Sequence, residues 1–309
     1  MSRTPAERWT LYTATAMALS LVVCTALWAL DPRLLDNGEP VWLKPIRFSL
    51  AFGVHLLTMA WLARLGRGQE EPLHRVFATG LWLQIAAAIV EWACIALQAA
   101  RGVHSHFNYA TFLDHAIFTI MGWGTAVLLG GMLMCAWGVW QSRADSLARH
   151  LVLGGMALAV LGALIGVLMV MPTAEQRALL GQGERLTWIG GTTVGDPSGI
   201  ELPFFHWDAV VGDWRAVHFV GLHGLQTLPV LAWLALRASP ALRVRARFWA
   251  RCGAWAYAVL FCAVATSTAQ GRSAVAISEP AWFLLAVPGV AFVSCLFAIL
   301  RIGGLKHVG

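Results

Sequence analysis

The chain has 309 residues, 58% of them hydrophobic and 12% charged, with a mean hydropathy of +0.66. A soluble domain of this length would carry about twice that share of charge, so the composition excludes an ordinary water-soluble globule and points to an integral membrane protein. The net charge of +6 is dispersed among apolar runs, which reads as a set of topology determinants rather than a nucleic-acid-binding face.

Eight apolar runs are long enough to cross a bilayer of ~30 Å as helices. They lie near residues 10–30, 43–64, 76–98, 113–140, 150–171, 216–236, 249–268 and 281–301. The fold class they predict is an all-α, polytopic membrane protein, with residues 1–309 as one integral membrane domain and a long external loop at 172–215. The short alternating strands of a closed barrel are absent from the sequence pattern. The basic N-terminus, MSRTPAERW, has no small-residue cleavage site after it, so a retained first helix is expected.

The second run is entered through WLKPIRFS, with Lys44 and Arg47, and carries His55, which reads as a satisfied core histidine. The third run carries Glu91 about ten residues before Arg101, hence ~15 Å deeper along a helix. An ionisable group at that depth is a functional hypothesis by default, a hydrogen-bonded structural acid being the other reading. The segment QAARGVHSHFNYATFLDH then supplies Arg101, His104, His106, Asn108, Asp114 and His115. Gly155, Gly162 and Gly166 in the fifth run form a small-residue stripe, a packing surface for a partner helix within the chain or in a homo-oligomer. The external loop brings His206 and Asp208 and leads into DWRAVHFVGLHGLQ, with Asp213, Arg215, His218, His223 and Gln226. The seventh run ends in TAQGRS, with Gln270 and Arg272.

Placing the N-terminus inside collects 14 basic residues against four acids on one face, and eight against 11 on the other. That bias predicts both termini in the cytoplasm and gathers six of the ten histidines at the outer face. The six cysteines fall in or beside apolar runs without CxxC spacing, as small core residues do. AWLA at 60–63 recurs at 232–235 and Gln98 is matched by Gln270 at the same offset, which suggests a parallel 4+4 repeat. At 100° per residue His218 and His223 stand about 140° apart, too far to chelate one ion from one helix. His223 and Gln226 share a face.

The strings WLKP, QAARG…SHFN, TVG and HFVGLHGLQ, in this order between Trp42 and Arg272, resemble a family of uncharacterised multi-pass bacterial membrane proteins. The resemblance implies eight helices in a bacterial plasma (inner) membrane and points to Lys44, Arg101, His106, Asn108, Asp213, Arg215, His218, His223 and Gln226. It carries no activity.

Three functions compete on these residues, and none fixes a reaction, so whether the chain is an enzyme stays open. In the first, His106, His218 and His223 bind haem or a transition metal in an outward pocket as a redox protein or metalloenzyme. Lys44, Arg101, Asn108, Asp114, Asp213, Arg215, Gln226 and Gln270 would then support the ligands or bind substrate. In the second, the outer arginines bind a polar or anionic solute for transport and Glu91 carries a proton. In the third, the polar groups form a lid of Arg–Asp pairs, with Arg101–Asp114 and Arg215–Asp213 as candidates, in a subunit that binds lipid or a partner.

Overall fold

A computed structural model describes residues 4–66, 71–274 and 282–304. The helices are α1 (Pro5–Leu30), α2 (Leu43–Leu62), α3 (Glu71–Arg101), α4 (Phe112–Trp140), α5 (Ser146–Val170), α6 (Ala174–Gly181), α7 (Trp214–Leu236), α8 (Arg243–Ala269) and α9 (Trp282–Gly304). All except α6 are long and apolar enough to cross a membrane, eight among the described residues. Each observed span contains its apolar run or departs from it by a residue or two.

Several helices begin before their apolar run because a polar residue caps the first turn. Thr4 accepts the Glu7 amide with Pro5 at the first helical position, Thr111 accepts the Asp114 amide, and Asp145 accepts the amides of Leu147 and Ala148. Such caps take up backbone donors that a helix start leaves unsatisfied. The external loop is partly ordered by the same chemistry. Thr173 and Gln176 form a reciprocal capping box on α6, and β1 (Thr193–Val194) pairs antiparallel with β2 (Gly212–Asp213).

The chain folds as two compact units. The first comprises Met1–Arg143 and Pro172–Gly190, the second Ala144–Met171 and Gly191–Gly309. The first therefore holds α1–α4 and α6, and the second α5, α7, α8 and α9. The early part of the external loop packs on the first unit through the Tyr109 amide to Thr187 O and the Ile189 amide to Phe107 O.

Within the first unit, α3 crosses α4 where two glycines meet. A Cβ on Gly80 would stand 2.5 Å from Gly131 O, and one on Gly131 2.6 Å from Gly80 O. Within the second unit, α5 crosses α7 at two levels. A Cβ on Gly155 would lie 2.5 Å from Gly224 O and one on Gly162 2.7 Å from Leu222 N. Gly166 lies under the His218 ring. The glycine stripe expected to serve a partner helix or a second copy packs against α7 inside the unit. Around that crossing, Leu151, Leu158, Val217, Leu228, Leu231, Tyr257 and Phe261 form a buried apolar core shared by α5, α7 and α8.

Candidate functional site

In the first unit the polar side chains are arranged along α3. Gln84, Glu91 and Gln98 recur every seven residues, which is two helical turns, so they fall on one face about 10 Å apart along the axis. All three are buried, at 0%, 4% and 0% exposure.

At the lowest level His55 Nε2 donates to Gln84 Oε1 at 2.7 Å. The Gln84 amide nitrogen donates onward to Gly80 O at 3.1 Å and to Cys135 Sγ at 3.4 Å. His55 is therefore the satisfied histidine the sequence suggested, and its partner Gln84 was missed there. At the middle level Thr125 Oγ1 donates to Glu91 Oε1 at 2.9 Å. Gly124 leaves room for that carboxyl, since a Cβ there would stand 3.2 Å from Oε1. One residue on, Trp92 Nε1 donates to Ser49 Oγ at 2.8 Å, and Ser49 bonds Ser20 at 3.0 Å.

At the upper level Asp114 is the hub. Its Oδ1 accepts from Arg101 at 2.6 Å and from Gln98 at 2.9 Å, and its Oδ2 from Thr111 at 2.5 Å. Arg101 also donates to Gln98 Oε1. The SHFN loop sits above. Asn108 donates to His104 O at 3.0 Å, and His104 Nε2 meets Asp36 Oδ1 at 2.5 Å. That bond to His104 holds the Asp36 carboxyl below the usual carboxylate range. His106 has Ser105 Oγ at 3.0 Å from Nδ1 and lies among the rings of Phe48, Phe107 and Phe118. Phe107 adopts a left-handed φ of 61°, which turns the loop so that its ring meets Trp188. Lys44, with His104 and Ser105, lines a cavity of about 10 Å³, space for about one water. Arg47 pairs with Glu39 at 2.6 Å.

In the second unit the buried carboxylates, Asp208 and Asp213, lie in the loop before α7 rather than within the helices. Asp213 pairs with Arg215 at 2.6 Å and also accepts the Asp208 amide at 2.9 Å. Asp208 accepts from Ser198 Oγ at 2.7 Å and from the amides of Ser198, Val210 and Val211. Burial works to raise the Asp208 pKa, but the amides of Val211 and Val210 and the Ser198 donors outweigh it and hold the carboxyl below its usual range. Further along α7, His218 Nδ1 lies 2.7 Å from Gly162 O and His223 Nδ1 lies 3.2 Å from Gln226 Oε1. His223 and Gln226 thus pair as their shared face suggested, while His218 turns to α5. Gln270 ends α8 through its backbone amide and is exposed.

Both anticipated Arg–Asp pairs are present. His106 belongs to the first unit, and His218 and His223 to the second. Among the described residues no group of three or more His, Cys, Asp or Glu side chains is gathered so as to hold a metal ion. The signal for Gln84 was in the sequence as the seven-residue spacing to Glu91 and Gln98. Thr125, Asp36 and Trp188 left no comparable pattern.

Compared with models of protein families, with curated proteins and with solved structures, the chain matches none. The resemblance carried by SHFN and HFVGLHGLQ therefore stands on those strings alone.

Proposed function

We propose that this helical membrane protein handles protons through its first unit, with Glu91 as the group that takes up and releases the proton. The observation that carries this reading is Glu91 itself, a carboxyl buried near the middle of a membrane-length helix, in register with Gln84 below and Gln98 above. An ionisable group at such depth is costly to keep and commonly serves a proton or ion path. The polar groups of α2 and α4 supply a hydrogen-bonding partner at each level. Transport of an anion is less well supported, because Arg101, Arg215 and Arg47 are each neutralised by a carboxylate. Both termini in the cytoplasm, placement in a bacterial plasma membrane and a parallel 4+4 repeat belong to the same proposal. The repeat is supported by four long helices in each unit and by AWLA ending the second long helix of each.

The test uses purified protein in liposomes carrying a potassium gradient and an interior pH dye. Valinomycin should drive proton entry that Glu91→Gln reduces to the rate of empty vesicles. Dicyclohexylcarbodiimide, which attacks protonated membrane carboxyls, should label wild type and spare the variant. Wild-type flux equal to that of empty vesicles, or undiminished flux in Glu91→Gln, would overturn the proposal.

A second reading, haem or a transition metal on α7, is favoured by one observation. His218 can bond a carbonyl only by donating from Nδ1, so in the neutral ring Nε2 is the lone-pair nitrogen, the orientation an imidazole ligand needs. An absorbance spectrum and metal content of the purified protein, lost in His218→Ala, would support it; a colourless and metal-free preparation would remove it.

A further inference from the structure

The N-terminal half of α8 combines charge and apolar exposure in a way that neither reading above uses. Five arginines, Arg237, Arg243, Arg245, Arg247 and Arg251, lie at or near the end of the second unit where α7 finishes and α8 begins. Arg247 is neutralised by a two-pronged bond to Asp145 at 2.9 and 3.0 Å, and Arg237 stacks on Trp233 with 4.1 Å to the ring centroid. Arg243, Arg245 and Arg251 are exposed and make no ion pair or hydrogen bond with another described side chain.

Arg251 differs from the other two in its setting. At 100° per residue Val244, Phe248, Arg251 and Trp255 share one face of α8 within about 60°. Their apolar members are strongly exposed, Val244 at 80%, Phe248 at 56% and Trp255 at 74%. On a helix apolar enough to span a bilayer, such a face meets lipid tails. It carries a guanidinium eight residues, or ~12 Å, from the helix start. A cation at that depth is retained by reaching its head toward the interface and an anionic partner there. Guanidinium matches a phosphate in two-pronged geometry, and Arg243, about two turns away at the helix start, adds a second positive charge near the same interface.

We propose that this face of α8 is a binding site for an anionic phospholipid. Arg251 holds the headgroup phosphate, and Val244, Phe248 and Trp255 lie along the acyl chains. The site rests on neither Glu91 nor the histidines.

The experiment is native mass spectrometry of the full-length protein released from micelles containing equal amounts of phosphatidylglycerol and phosphatidylcholine. Wild type should retain phosphatidylglycerol over phosphatidylcholine by about fivefold or more, the scale of one arginine near a membrane surface. Arg251→Gln should retain the two equally. Arg245→Gln, on another side of the helix, should keep the preference and show that position rather than bulk charge is read. If Arg251→Gln does not fold, Arg251→Lys, which keeps the charge but not the two-pronged geometry, carries the test with a partial loss. Equal retention by wild type, an undiminished preference in the Arg251 variants, an equal loss in Arg245→Gln, or complete displacement of the lipid by inorganic phosphate would each overturn the site.

Discussion

The two units solve the same problem differently. In a bilayer the lipid tails are as apolar as leucine, so helices gain little by hiding apolar surface and associate through close packing and hydrogen bonds. The second unit leans on close approach, with α5 and α7 touching backbone to backbone at Gly155–Gly224 and Gly162–Gly221, an apolar core around them, and the buried carboxylates set out in the loop at Asp208 and Asp213. Among the described residues the first unit has one crossing of glycine on glycine, Gly80 against Gly131, and places hydrogen bonds inside, at Gln84, Glu91 and Gln98. A unit that needs only to stay packed can keep its interior apolar. Carrying a carboxyl within a membrane-length helix costs stability, and the first unit bears that cost at Glu91.

The sharpest way to break this contrast is to spoil the α5–α7 crossing. Gly162→Leu puts a side chain where Cβ alone would stand 2.7 Å from Leu222 N and 2.8 Å from Gly221. Backbone must move, so a loss of about 3 kcal/mol or more is expected. Gly122→Leu and Gly130→Leu on α4, whose Cβ positions meet nothing within 4 Å, should show no loss. The measurement is unfolding of the purified variants in detergent. A tolerated Gly162→Leu would mean that close approach is not what holds the second unit.

That crossing was half legible. The stripe Gly155, Gly162, Gly166 declares a packing face because small residues at helical spacing have few other uses, but nothing in the stripe names the helix that fills it. The eight spans were readable for a similar reason, since apolar runs of membrane length have one common solution. Their ends were less readable, because Thr4, Thr111 and Asp145 extend helices as caps and look like loop residues in sequence. In the site, the pairs Arg101–Asp114 and Arg215–Asp213 could be guessed from complementary charge at short range. The contacts of His55 with Gln84 and of Thr125 with Glu91 cross between helices. They depend on helix rotation, which one sequence does not report when each helix is apolar nearly all round.

A smaller effect should sharpen the account of the first unit. Gln84→Leu removes the acceptor of His55 and the donor to Cys135 at nearly constant volume, and should cost about 1 kcal/mol. Made in a background of His55→Leu it should cost less, because the stranded imidazole is gone. A coupling of about 0.5–1.5 kcal/mol between the two sites is expected, measured by a double-mutant cycle in detergent. Strict additivity would mean that the polar column adds nothing to cohesion, and that the first unit, like the second, rests on its glycine crossing. Because Gln84 lies a level below Glu91, the same variant read in the liposome assay separates a structural role from a path that continues to His55.

The smallest expected effect lies in the loop of the second unit and depends on pH. Asp208 has its folded pKa held below the usual carboxylate range by donors from Val211, Val210 and Ser198. A depressed carboxyl stabilises the fold above its unfolded pKa, about 3.9, and the contribution is lost as pH falls through the lower folded value. Once protonated, the carboxyl loses its charge and part of its acceptor capacity toward the amides of Ser198, Val210 and Val211, as the amide of Asp208→Asn does at every pH. Wild type should therefore be more stable than Asp208→Asn near pH 6, and the difference in melting temperature should shrink steadily below pH about 4. Because the loop stands outside the helices, the loss should remain local and leave the α5–α7 crossing intact. A difference that stays constant to pH about 3 would show that the carboxylate charge, as distinct from the shape of the side chain, does not hold the loop.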